Sequence, residues 1–240
     1  MKNHLIIAAG LLSLAAASLS ATPTTCPTAT LSTYLSTFGS GGGISCMDGS
    51  LLLSNFSFNA FGSTILSNTA VTVTPFVNVG GETGLDFSVT GMSATNSGFA
   101  DITVGYTITA PLTDLTLSFD GSFTGAGNTN IMEFACINQF LLSCPSGQML
   151  APPLTVTNPP PQFTNKVFLP AGVTFIDVAK DVRVNGGCSP NDPACSGTAT
   201  IMHFENGFSV AAEPPVPETD TAFLLGLGLL GLGALKMRKA

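Results

Sequence analysis

From Leu51 onward, apolar residues recur at every second position through most of this chain, and that period leaves little freedom over its fold. Ile102, Val104, Tyr106 and Ile108 alternate with Thr103, Gly105 and Thr107. Leu115, Leu117 and Phe119 alternate with Thr116, Ser118 and Asp120, and Leu85, Phe87 and Val89 with Asp86 and Ser88. Val71 and Val73 repeat the pattern beside Thr72 and Thr74, as do Phe56 and Phe58 beside Asn55 and Ser57. Successive side chains of a strand point to opposite faces, so this period marks strands with one face on a core and one in water. Antiparallel sheet has that form; parallel sheet is covered on both faces. Gly80-Gly81, Asn96-Ser97-Gly98 and Gly125-Ala126-Gly127-Asn128 supply turns between the runs. Several strands at this spacing predict an all-β fold, an antiparallel β-sandwich.

Two stretches depart from the period. Leu31, Tyr34, Leu35 and Phe38 fall at i, i+3, i+4 and i+7, one face of a short N-terminal helix. Thr28 or Thr30 caps its start, and Gly39 with the run Gly41-Gly42-Gly43 ends it. The second stretch, Ala151 to Gln162, holds Pro152-Pro153 and Pro159-Pro160-Pro161. Proline has no N–H to give to a ladder, so this stretch is predicted as a loop or an edge. The strands expected after it, Gln162–Leu169, Val173–Val184 and Thr198–Val210, are too few for an independent core. One domain over residues 22–212 is therefore expected, with a long crossover joining two packed sheets.

Cys26, Cys46, Cys136, Cys144, Cys188 and Cys195 form an even set. No Cys-x-x-Cys occurs, and His203 is the one histidine beyond the N-terminal segment, so disulfides are read here and no metal or other cofactor. The spacing points to three local bridges in chain order, Cys26–Cys46, Cys136–Cys144 and Cys188–Cys195. Such bridges persist in oxidising compartments. The N-terminus agrees with export. Lys2, the apolar run Leu5 to Ala17, and the small residues Ala15, Ala17, Ser20 and Ala21 make a secretory signal peptide over residues 1–21, cut after Ala17 or Ala21. Its apolar core is too short for a permanent membrane helix. The chain carries 14 acidic against 7 basic residues, and the only basic residues of the body are Lys166, Lys180 and Arg183. Nucleic-acid binding needs basic patches, so that partner is excluded.

At the other end, a Pro/Glu-rich segment, residues 213–220, leads into an uncharged run from Ala222 to Leu235, followed by Lys236, Arg238 and Lys239. Fourteen residues at 1.5 Å each make a helix of about 21 Å. A bilayer core takes about 20 residues, so residues 221–240 read as a short transmembrane helix with a cationic stop on the cytoplasmic side. Gly226-Leu227-Gly228-Leu229-Leu230-Gly231 spells GxGxxG, but no acidic residue follows as the dinucleotide motif requires; the glycines suit helix packing in lipid. This order of parts resembles the PEP-CTERM sorting signal of Gram-negative bacteria. Val216, Pro217 and Glu218 match its motif, with Thr219 where the family usually has a second proline. Leu224, Leu225, Leu227, Leu229, Leu230, Leu232 and Leu235 match its membrane anchor, and Lys236, Arg238 and Lys239 its basic end. The resemblance implies recognition by an exosortase-type sorting enzyme, a place at the membrane, cell surface or extracellular matrix, and a link to exopolysaccharide or biofilm. The endings Phe175-Ile176-Asp177-Val178-Ala179-Lys180-Asp181-Val182, Gly197-Thr198-Ala199-Thr200-Ile201 and Phe208-Ser209-Val210 are similar to those of exported proteins with such tails. So is the opening Cys46 with Leu53-Ser54-Asn55-Phe56-Ser57-Phe58.

Chemistry is harder to find. His203 lies among Ile201, Met202 and Phe204 on a predicted strand, and no Gly-x-Ser-x-Gly elbow accompanies it, so it reads as a hydrogen-bonded strand histidine. Asp48 before Gly49 and Asp120 before Gly121 are predicted in tight turns. No catalytic residue is assigned, and the expected function is a non-enzymatic exported surface or matrix protein. The alternative is a carbohydrate-binding or glycan-hydrolysing β-sandwich. Against it, the chain has no Trp, Tyr34 and Tyr106 fall on predicted buried faces, and most phenylalanines suit the core pattern. Paired carboxylates for hydrolysis are a matter of spatial separation that spacing in sequence does not show.

Overall fold

The computed structural model describes residues 24–39, 45–78, 81–137, 144, 148–192 and 194–211. The predicted signal peptide, sorting motif, membrane helix and basic end lie outside these residues. Among the described residues no helix is long and apolar enough to cross a membrane.

The alternation from Ile102 to Ile108 becomes the centre of a long strand, β8 (Phe99–Thr109), with all four apolar residues of the run fully buried. Around it lies a first sheet in the order β1-β3-β4-β8-β13-β10-β11. Its members are β1 (Thr24–Thr25), β3 (Cys46–Asp48), β4 (Leu51–Gly62), β10 (Asn128–Cys136), β11 (Leu154–Asn158) and β13 (Phe175–Asn185). The second sheet runs β12-β9-β14-β6-β5-β2. It comprises β2 (Ala29–Thr30), β5 (Val71–Val77), β6 (Thr83–Val89), β9 (Leu112–Gly125), β12 (Thr164–Phe168) and β14 (Gly197–Val210), with β7 (Ser93–Thr95) pairing the start of β14. Apart from the short parallel pair β1–β3, the ladders are antiparallel.

The inner faces of the two sheets share one apolar core. An aromatic file crosses it. Phe56 of β4 stacks on Tyr106 of β8 at 5.3 Å, Tyr106 lies 6.0 Å from Phe87 of β6, and Phe87 stacks on Phe204 of β14 at 4.9 Å. Pairs of this kind add about 0.5–1.5 kcal/mol each beyond the area they bury. The helix α1 (Leu31–Phe38) is where its period placed it, with Thr30 as N-cap and Leu31, Tyr34 and Phe38 buried. Tyr34 meets Phe56 edge-on at 4.8 Å, and its hydroxyl donates to the Pro27 carbonyl at 2.7 Å.

The three disulfides pair as expected, Cys26–Cys46, Cys136–Cys144 and Cys188–Cys195. They suit an oxidising, extracellular setting. The proline-rich stretch differs in part. Leu154, Val156 and Asn158 are buried on β11, an edge strand of the first sheet paired with β10, and β12 begins an edge of the second sheet a few residues later. The passage between sheets is therefore a short proline turn, closed by Thr157 and Gln162, and not a long crossover. The prolines flank the strand without entering it, so its ladder keeps its donors.

Candidate functional site

Three groups of polar side chains stand out, one between the sheets and one on each outer face. The inner one is structural. Glu133 of β10 and Lys180 of β13 are register partners, both without solvent exposure. Lys180 Nζ lies 3.3 Å from Glu133 Oε2 and donates to the Tyr106 hydroxyl at 2.9 Å and to Asn206 Oδ1 at 2.5 Å. Asn206, on β14 of the opposite sheet, donates through Nδ2 to Glu133 Oε1 at 3.0 Å and to the Thr116 carbonyl at 3.1 Å. Burial pushes the Lys180 ammonium down to about 8 and the Glu133 carboxyl up, and their mutual attraction opposes both shifts. The ammonium also sits 4.5 Å from the Tyr106 ring centroid. This polar bolt joins the sheets across the core, where no substrate reaches it.

The outer face of the first sheet carries a shallow concavity of about 150 Å³ lined by Phe61, Asp101, Thr103 and Asp181. Phe61 on β4 stands directly opposite Asp101 on β8, and Thr103 opposite Asp181 on β13. Phe61 is 46% exposed, a platform left in water. Asp101 hydrogen-bonds Asp181. Burial first, then this bond and the Asp181 charge, push Asp101 up to about 6, and the Arg183 guanidinium across the ladder opposes them. Arg183 itself rests 5.4 Å from the Phe99 ring centroid. Both carboxyl groups can accept hydrogen bonds from hydroxyls.

The outer face of the second sheet gathers His203 and Glu205 of β14, Asp86 and Ser88 of β6, and Ser118 and Asp120 of β9, because β14 lies between the other two. His203 Nδ1 is 3.2 Å from Asp86 Oδ2, and Nε2 is 3.7 Å from Asp120 Oδ2. Ser88 donates to Asp86 at 2.9 Å and Ser118 to Glu205 at 3.3 Å. The strand histidine read from sequence is thus on a strand and hydrogen-bonded, in carboxylate company that its neighbours in sequence do not announce. Asp120 is corrected: it lies inside β9, 53% exposed in its side chain, and not in a turn. A tight turn is drawn by Asp-Gly in isolation, whereas here Gly121 continues the ladder opposite Ile201. Asp48 stands before a turn as expected, with Gly49 at φ +57°, yet its own carboxyl is buried.

Of the residues singled out in the sequence, the six cysteines are brought together in pairs, while the sorting motif, anchor and basic stop lie outside the described residues. The two tyrosines are fully buried, as expected. The phenylalanines divide: Phe38, Phe56, Phe87, Phe119, Phe204 and Phe208 are buried in the core, in keeping with the expectation for most of them, while Phe61, Phe163, Phe168 and Phe175 are exposed. Phe61 was detectable in principle, since it falls on the same parity as Asn59 and Ser57 and opposite to Phe58.

Neither a protein-family model nor a curated protein matches the sequence. Among solved structures, the chain is similar to the enzymatically active domain of bacteriophage CBA120 tailspike protein 4, at 18% identity and TM-score 0.28, over 65% of this chain and 20% of that one. It is also similar to the module TmCBM61 solved with β-1,4-galactotriose, at 10% identity and TM-score 0.27, over 62% of this chain and 86% of that one. The chain thus spans a fifth of the length of the tailspike domain, and at these scores neither likeness carries an argument about fold or function.

Proposed function

We propose that this chain is an exported, non-catalytic protein that binds glycan on the outer face of its first sheet and is sorted to the cell surface or matrix by its C-terminal tail. The observation that carries the binding is the concavity in which the half-exposed Phe61 ring meets Asp101, Thr103 and Asp181. A sugar ring has a flat C–H face and a rim of hydroxyls. The first stacks on an aromatic ring, and the second donates to carboxylates in charge-assisted hydrogen bonds. The concavity is smaller than the roughly 300–1,000 Å³ of drug-sized sites, which suits a single ring of a longer chain. Phenylalanine does the stacking here in place of the missing tryptophan. The sorting half of the proposal rests on the resemblance of Val216-Pro217-Glu218, the Leu/Gly run and the basic end to the PEP-CTERM signal, and exosortase and exopolysaccharide enter as partners on that ground.

A glycan array probed with the oxidised protein tests the binding half. We expect a defined set of glycans to bind, with Phe61→Ala and Asp181→Asn each weakening binding at least tenfold, about 1.4 kcal/mol. Both positions are exposed, so neither change threatens the fold. A blank array, or binding untouched by both substitutions, would remove the glycan reading of this face.

A further inference from the structure

The geometry points to a second site, on the opposite face from the concavity: we propose that His203, Asp86 and Glu205 bind one divalent ion of the zinc class, with Asp120 orienting the imidazole. One nitrogen or oxygen atom from each of the three ligands lies within 4.8 Å of the others. Four ligand atoms about 2.0–2.1 Å from a tetrahedral ion sit about 3.3 Å apart. The 3.2 Å between His203 Nδ1 and Asp86 Oδ2 already meets that spacing, and rotation of the longer Glu205 side chain closes the rest.

The backbone is built to place these donors. The ladder between β14 and β9 slips between Ile201 and His203, so that Ile201 and Phe204 both point into the core with two residues between them. That bulge turns His203 outward beside Met202 and sets it on the same face as Glu205. Bulges commonly re-aim a side chain at functional positions. The second ring nitrogen of His203 faces Asp120 Oδ2 at 3.7 Å. A ligating imidazole almost always gives its other N–H to such a carboxylate, which holds the ring and makes it a better donor.

The imidazole decides the class of ion. Calcium takes six to eight oxygen ligands, whereas one nitrogen and two carboxylates with the remaining positions open to water suit zinc.

The test is calorimetric titration of the mature, oxidised protein in mild detergent after chelator treatment, with zinc chloride and calcium chloride in parallel. One equivalent of zinc is expected to bind and to raise the melting temperature, with no saturable uptake of calcium. His203→Gln and Glu205→Gln should each weaken zinc binding at least tenfold with the circular dichroism spectrum unchanged, and Asp120→Asn by about tenfold. Phe61→Ala should leave zinc binding as it was, which keeps this result separate from the glycan array. Absence of zinc binding, zinc binding unaffected by His203→Gln, or a preference for calcium would each overturn the proposal.

Discussion

Lys180 shows how much one buried charge decides. Its ammonium has no exposure and is held by Glu133, Tyr106 and Asn206. Lys180→Met leaves the Glu133 carboxyl buried without its cation, which should cost about 3–5 kcal/mol by urea unfolding. Lys180→Met combined with Glu133→Leu removes both charges and should recover most of that loss, the outcome that separates a specificity device from a net source of stability. Two further carboxyls set a pH dependence. Burial pushes Asp48 up to about 6, against a hydrogen bond from the Gly84 backbone, and Asp101 also rises to about 6. A carboxyl with a raised folded pKa contributes stability that is complete below its unfolded value, near 3.9, and is lost as pH rises through the folded value. The melting temperature should therefore fall between about pH 4 and pH 6, and Asp48→Asn should flatten part of that slope. A melting temperature that rises over this window would contradict the assignment.

At the scale of elements, covalent and packing constraints share the work. Cys26–Cys46 closes the longest of the three loops, with a separation of 20 residues, and clamps α1 between β1 and β3. Chain-entropy arithmetic gives it about 3 kcal/mol, against about 2.5 kcal/mol for Cys188–Cys195 with its separation of 7. Replacing Cys26 and Cys46 by Ser should lower the denaturation midpoint more than replacing Cys188 and Cys195. An eight-residue helix is marginal alone, so α1 depends on its buried face, where Phe38 packs on Tyr34 and Tyr34 on Phe56. Two elements were harder to read in the sequence. Leu154-Thr155-Val156-Thr157-Asn158 alternates cleanly, but prolines on both sides disguise it as a loop. The bulge in β14 left a trace too, since Ile201 and Phe204 are three apart where a regular strand would place inward residues an even number apart.

For the whole molecule, the order of segments matters more than any single contact. β14 crosses the centre of the second sheet, and just past its end Ala211, the last described residue, donates to the Pro111 carbonyl at 2.7 Å. The described strands of both sheets therefore lie upstream of the proposed sorting segment. Truncation before Pro215 should release a folded, disulfide-bonded body into the medium, whereas replacing Lys236, Arg238 and Lys239 by neutral residues should abolish retention by letting the tail slip through. Fractionation of cells expressing the two variants measures both outcomes. A truncated body that stays with the membrane would refute the sorting proposal.

The sequence by itself determined what is local. Period-two alternation set which faces are buried, the i, i+3, i+4, i+7 spacing set the helix, and short separations pointed to Cys136–Cys144 and Cys188–Cys195, since each of these signals involves residues a few positions apart, whereas Cys26–Cys46 spans 20 residues. Only the tertiary structure decided which distant strands become neighbours. Asp86, Asp120, His203 and Glu205 meet because β14 pairs with both β6 and β9. Phe61, Asp101 and Asp181 meet because β8 lies between β4 and β13. A slip of one residue in any of these ladders would turn its polar row into the core, so register is chosen collectively by burial across the sandwich, and no single strand carries that choice in its own residues.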